Sequence, residues 1–288
     1  MKLAAAPISW GVCEVPNWGF QLPRERVLAD VARLGLRDIE TGPPGFLPDD
    51  DANARAFVDG HGLHVVAAFV TAVLHRGERL EDELAAVDRQ AARIAALGGE
   101  VLVLACATGR EGYDAPAELT GEEWSALGRA LPRVMAIAAG HGLRVALHPH
   151  VGTVIERAAA IEHVLRETEV PLCLDTGHVF VGGGDPVRIA RDHPARIAHV
   201  HLKDADAALA AAVRERRIPY AQAVKRGLFR PLGAGDARIA EVLAALREAR
   251  YGGWAVLEQD IALDAPPTEG NDPVRDVIRS RDFALAHA

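Results

Sequence analysis

In Leu172-Cys173-Leu174-Asp175-Thr176-Gly177-His178 a carboxylate ends a short apolar run, and an imidazole follows three residues later. Other apolar runs end in the same way. Glu40 closes LRDIE, His148-Pro149-His150 closes LRVALH with Glu156 shortly after, His199-Val200-His201-Leu202-Lys203-Asp204 closes another run, and Glu258 closes GWAVLE. Carboxylates and imidazoles together ligate hard or borderline divalent ions, and both act as general acids or bases. Taken singly, each has a plain structural explanation. An Asp before a helix is a common N-cap, a strand-end Glu is often a solvated charge, and a lone His is more often packed than ligating. Grouped, they resist that explanation, because burying several such groups side by side is costly unless a cation offsets the charge. The period of two along a strand puts His199 and His201 on one face, one deeper than the other. Cys173, two residues before Asp175, lies in an apolar strand and reads as core.

A single repeated alternation of apolar runs and amphipathic segments must position these groups. Strand-like runs cover residues 3–9, 36–40, 63–70, 101–107, 143–148, 171–175, 195–202 and 253–258. Helical patterns cover 23–35, 51–62, 79–99, 120–142, 153–167, about 185–194, 236–252 and 271–288. Pro23 suits a first helical turn, Gly35 a stop, and Thr120 with Glu123 a capping box. An irregular insertion, 204–235, follows the seventh strand. Eight strand-helix units with near-continuous apolar strands indicate parallel strands covered on their outer face. An open doubly wound sheet is the rival, but no Gly-rich nucleotide fingerprint is present, so a single (β/α)8 TIM barrel over residues 1–288 is expected. In such a barrel, catalytic groups gather at the C-terminal strand ends, where the odd residues fall.

Bulk properties exclude several function classes. The 288 residues are 49% hydrophobic and 25% charged, with a net charge of −8, which is an ordinary globular composition. No chain-wide basic field exists to hold nucleic acid, and no apolar run approaches membrane length. Three scattered cysteines (Cys13, Cys106, Cys173) form no disulfide framework. Pro7, Trp10 and Pro16 interrupt the N-terminal apolar patch, so a secretory leader is not expected, and a cytoplasmic location is.

Six blocks carry a family resemblance: PISWGV (7–12), DIETGPPGFLPDD (38–50), HPHVGTVIE (148–156), CLDTGHVFVGGGDP (173–186), HVHLKD (199–204) and LEQD (257–260). With these the chain resembles the xylose-isomerase-like TIM-barrel superfamily of sugar isomerases, epimerases and endonuclease IV-type repair enzymes, and within it the inosose dehydratases of inositol catabolism. The superfamily binds its ion with Glu, Asp, His and Glu from strands five to eight, which implies Asp175, His201 and Glu258 here. On strand five His148 stands where the superfamily has Glu. Either His148 replaces that carboxylate or Glu156 reaches back from the next turn, and Glu156 is the expectation. His148, His150 and His178 are then the acid-base candidates. Glu40, Lys203 and Trp10 are candidate substrate contacts, as is Arg230, which precedes a Pro/Gly-rich turn as in related epimerases. For Trp10, plain packing at the barrel end is the equal alternative.

A divalent ion (Mn²⁺ or Co²⁺ foremost, Mg²⁺ or Zn²⁺ also open) would acidify the hydrogen beside a coordinated ketone, and a positioned base would remove it. Proton return gives an isomerase or epimerase, whereas loss of a hydroxyl gives a dehydratase. The resemblance favours dehydration of a polyhydroxy cyclic ketone, with a sugar or keto-sugar isomerase or epimerase as the alternative. The expected partner is this small polyol alone, with homo-oligomers a habit of the family. A repair nuclease would need histidines from earlier strands, but strand two ends in Glu40 and His75 trails strand three. A barrel that only binds a polyol would not require acid-base groups on four successive strands.

Overall fold

The computed structural model describes residues 1–115 and 118–287. Among these residues eight parallel strands close into a barrel. They are β1 Lys2–Ala5, β2 Asp38–Glu40, β3 His64–Ala72, β4 Val101–Cys106, β5 Arg144–Leu147, β6 Leu172–Asp175, β7 Ile197–Leu202 and β8 Trp254–Leu257. Each strand pairs with the next in sequence, and β8 returns to β1. Helices follow the expected segments. Gly121–Gly140, for example, opens with the reciprocal Thr120–Glu123 capping box.

The strands' two faces explain where the polar groups end up. Outward residues such as Leu102, Leu104, Val145, Leu174, Val200 and Leu257 pack against the helices. The alternate set, Ala4, Val66, Val101, Val103, Ala146, Cys173 and Val256, fills the barrel interior with small side chains. Continuing that inner row by two residues on each strand leads from Ala146 to His148, Cys173 to Asp175, His199 to His201 and then Lys203, and Val256 to Glu258. The register aligns them, with Asp175 opposite His201 and His201 opposite Val256. One end of the barrel is therefore apolar and the other chemical.

Three expectations are revised. The first strand stops at Ala5, and Pro7–Trp10 forms a short 3-10 turn, since Pro7 has no N–H for the ladder. A helix, Thr176–Val181, begins directly after β6. The insertion is ordered: Ala207–Arg214 and Tyr220–Lys225 are helical, and Asp204–Ala205 pairs antiparallel with Phe229–Arg230. These pieces share a separate apolar cluster with Trp18, Val151 and Val181. Residue 288 of the expected closing helix lies outside the described residues, and the rest spans Val274–His287. No described helix is long and apolar enough to cross a membrane.

Candidate active site and metal centre

Asp175 is fully buried and serves as the N-cap of the helix that follows it, its Oδ1 accepting the His178 backbone N–H at 2.6 Å. That leaves Oδ2 free to face the barrel axis, where it lies 3.4 Å from His148 Nε2 and 3.5 Å from His201 Nδ1. His201 Nδ1 is also 2.5 Å from Glu258 Oε2 and 3.0 Å from His148 Nε2. On its other side, His201 Nε2 lies 3.0 Å from Glu40 Oε1, which His199 Nε2 also approaches at 2.9 Å. The Glu40 carboxylate can only accept, so it keeps a proton on His201 Nε2, while Glu258 and Glu40 hold the imidazole pKa well above its usual value against its burial, so an ion at Nδ1 would take the place of the second proton. Asp175 Oδ2 and Glu258 Oε2 have no hydrogen-bonding partner of acceptable geometry. Two carboxylate oxygens and an imidazole nitrogen thus converge, with ligand atoms within 4.8 Å of one another. The donor types, their convergence and the two carboxylate oxygens left without a hydrogen bond fit a divalent ion.

Lys203 lies beneath this cluster, fully buried. Its Nζ is 2.7 Å from Asp260 Oδ1, 2.9 Å from Glu258 Oε1, 3.3 Å from Asp175 Oδ2 and 3.1 Å from His178 Nε2. Burial alone would lower its pKa, but Asp175, Asp260 and Glu258 outweigh that and hold the ammonium well above the usual lysine range. In turn, burial pushes the Asp175 carboxyl up, and Lys203 and His178 overrule it and hold it well below its ordinary value. Glu258 is likewise brought to about 2 by His201 and Lys203 against its own burial. The DTGH and HLKD motifs interlock around this lysine. Thr176 Oγ1 donates to the Lys203 carbonyl at 2.7 Å and accepts its N–H at 2.9 Å. Gly177 leaves the lysine stem room, since a Cβ there would lie 2.5 Å from Lys203 Cγ.

Above the cluster opens a cavity of about 560 Å³, whose lining includes Glu40, His148, His150, His201, Glu258 and Asp260. Trp18, Phe69, Tyr113 and Tyr220 also line it. His150 Nδ1 lies 2.6 Å from the Val151 carbonyl, which can only accept, so Nε2 is left as the basic nitrogen. Burial, with His148 and Lys203 nearby, lowers its pKa to about 3, so the ring is neutral. Tyr220 Oη donates to Asp260 Oδ2 at 2.6 Å, and burial raises the Asp260 carboxyl despite Lys203.

The barrel brings His148, His150, Asp175, His178, His201, Lys203, Glu258 and Glu40 together, but not the other expected residues. Glu156 is engaged elsewhere: both its oxygens lie 3.0 Å from Arg216 Nη2, Arg157 Nε is 3.2 Å away, and Gly152 N–H donates to it. It anchors the insertion to the loop after β5, and His148 holds the position expected of it. Trp10 is a core residue, fully buried, with Nε1 donating to Asp30. The tryptophan that lines the cavity is Trp18. Arg230 pairs with Asp206 on the insertion's own ribbon and does not line the cavity. His178 and Lys203 also sit behind the lining, His178 with its ring 3.9 Å from that of His150, so neither is a direct substrate contact. Asp260 was within reach of sequence reasoning, lying two residues after Glu258 in LEQD. Tyr113 and Tyr220 carried no signal, since only tertiary packing brings their loops over the barrel.

Comparison with known proteins agrees with this architecture. The profile of the family described as Xylose isomerase-like TIM barrel matches residues 28–281. Inosose dehydratase of Geobacillus kaustophilus (strain HTA426) is 31% identical over 280 residues, covering 93% of this chain and 90% of that protein. Among solved structures, the probable 3-DHS dehydratase AsbF of Bacillus anthracis superposes with a TM-score of 0.71 at 17% identity, covering 99% of each chain. The IOLI protein with a bound zinc atom does so with a TM-score of 0.70 at 15% identity, covering 99% of this chain and 97% of that one. With barrel, strand-end cluster and profile in agreement over most of its length, the chain belongs to the Xylose isomerase-like TIM barrel family.

Proposed function

We propose that this protein is a divalent-metal-dependent hydro-lyase that removes water from a cyclic polyhydroxy ketone of the inosose class. The observation that carries this reading is the convergence of Asp175 Oδ2, His201 Nδ1 and Glu258 Oε2 below a cavity into which His150 presents a free Nε2. The relative from Geobacillus kaustophilus supports the choice of substrate. His148, Asp175, His201 and Glu258 would hold the ion, which would supply Lewis-acid polarisation of the ketone. Their mixed nitrogen and oxygen donors suit Mn²⁺ or Co²⁺, with Zn²⁺ and Mg²⁺ the next candidates.

The protein's own groups divide the remaining work. Glu40 fixes the tautomer of His201 and, with His199, its orientation. His150 Nε2 takes the proton from the carbon beside the ketone, with Nδ1–H braced on the Val151 carbonyl. The protonated ring can then return that proton to the departing hydroxyl. Its close, tilted contact with the ring of His178, itself tied to Lys203, keeps the ring in place during the transfer. Trp18, Tyr113 and Tyr220 give the cavity an aromatic wall suited to the C–H face of a carbocycle. We place the reaction in the cytoplasm, in keeping with three free thiols.

The test is turnover of scyllo-inosose by metal-stripped protein with single ions added back, alongside His150→Gln. Formation of the dehydrated diketone only with metal, and a loss of about 10²–10⁴-fold in His150→Gln at unchanged metal content, is expected. Metal-loaded protein that leaves the inosose unchanged would overturn the dehydratase assignment and favour the epimerase or isomerase alternative.

A further inference from the structure

The site holds a second cluster of potential metal ligands beside the first. Nitrogens of His150 and His178 and a carboxylate oxygen of Asp260 lie within 4.8 Å of one another, a spacing that suits a divalent ion. Lys203 Nζ is already there, 2.7 Å from Asp260 Oδ1 and 3.1 Å from His178 Nε2. The same ammonium reaches Glu258 Oε1 and Asp175 Oδ2, so it sits between the two clusters. It is fully buried, with the ring of Phe229 closing one side at 5.0 Å, and no solvent competes for these contacts.

We infer that Lys203 is a built-in cation that occupies the second ion position and keeps the centre mononuclear. Asp175, Glu258 and Asp260 surround a single ammonium, which forms its shortest ion pair with Asp260 Oδ1 at 2.7 Å. Electrostatic repulsion between the ammonium and an incoming second ion disfavours a dinuclear centre, whereas on the His148-Asp175-His201-Glu258 side Asp175 Oδ2 and Glu258 Oε2 keep no hydrogen-bond partner and face the ion position. By holding Glu258 through Oε1, Lys203 also turns Oε2 toward His201, making that carboxylate a one-oxygen donor. Lys203 is thus a positioning residue, and Gly177 is the opening through which its stem passes. The inference rests on the metal-dependent reading above but not on the identity of the ketone.

The experiment counts Mn²⁺ per chain after loading and desalting the full-length protein, Lys203→Met, and Lys203→Met/Asp260→Asn. Electron paramagnetic resonance reports whether bound ions are coupled. One ion is expected in the wild-type chain, two coupled ions in Lys203→Met, and one in the double variant, which lacks a ligand of the second position. One ion in Lys203→Met overturns the inference. So does a Lys203→Met chain that stays unfolded in excess Mn²⁺, because the ion would then fail to replace the ammonium. No ion in the folded wild-type protein would instead overturn the metal-dependent reading itself.

Discussion

At the scale of residues, neighbouring carboxylates in similar sequence settings have different tasks because different donors reach them. Asp175 divides its two oxygens between a helix cap and the barrel axis. The turn former and the candidate ligand are the same side chain. Glu156, also buried, is held by Arg216, Arg157 and a backbone N–H and has no oxygen to offer an ion. This contrast makes a prediction. Asp175→Asn and Glu258→Gln should lose bound metal on desalting and lose turnover by more than about 10²-fold. Glu156→Gln should keep both and instead unfold earlier in urea, by about 2 kcal/mol, because it weakens a buried ion pair. Elemental analysis and denaturant melts distinguish these outcomes, and metal loss in Glu156→Gln would return that residue to the ligand set.

At the scale of elements, HLKD is three devices in one short stretch. His201 faces the proposed ion, Lys203 the second position, and Asp204 turns away from the cavity. Asp204 Oδ2 accepts N–H groups of Gly233 and Gly235 at 2.9 and 3.0 Å, and Oδ1 those of Ala205 and Ala237 at 3.0 Å. It therefore organises the GAGD turn that returns the insertion to the barrel. Gly235 allows this close approach, since a Cβ there would lie 2.5 Å from Asp204 Oδ1. Asp204→Asn turns an amide NH₂ toward backbone donors and should cost about 2–3 kcal/mol of stability, with metal affinity unchanged. Parallel measurement of the melting temperature and of Mn²⁺ affinity tests this, and a weakened ion at unchanged stability would count against the anchoring role. The insertion itself reads as irregular in sequence because its helices are short, and their apolar residues face a satellite cluster above the barrel rather than the main core.

At the scale of the whole molecule, the proposed ion would join β5, β6, β7 and β8 at one point. The alternative ligand from the loop, Glu156, instead tethers the insertion. Because the ligands preassemble only in the folded chain, metal binding adds to stability by mass action. Saturation at about a thousandfold above Kd contributes about 4 kcal/mol. For a chain of this length, at about 1.7 °C per kcal/mol, that raises the melting temperature by about 7 °C. Calorimetry of stripped and Mn²⁺-loaded protein should show this rise, and superimposable melts would argue against an ion joining these strands.

Much of this was legible in the linear chain. Eight apolar runs alternating with amphipathic segments specify a covered parallel sheet, and the period of two carries an inward row from Ala146, Cys173 and Val256 to His148, Asp175 and Glu258. Both are local properties, set by backbone geometry and the burial of apolar side chains. The tertiary structure alone placed His148 and not Glu156 beside Asp175 and His201, Trp18 and not Trp10 at the cavity, and Arg230 outside its lining. It also added Asp260, Tyr113 and Tyr220 to the cavity. Those outcomes depend on which distant partner reaches a side chain first: Arg216 for Glu156, Asp30 for Trp10, Asp206 for Arg230. Partners between 20 and 60 residues apart are brought together by packing, so no spacing along the chain encodes them.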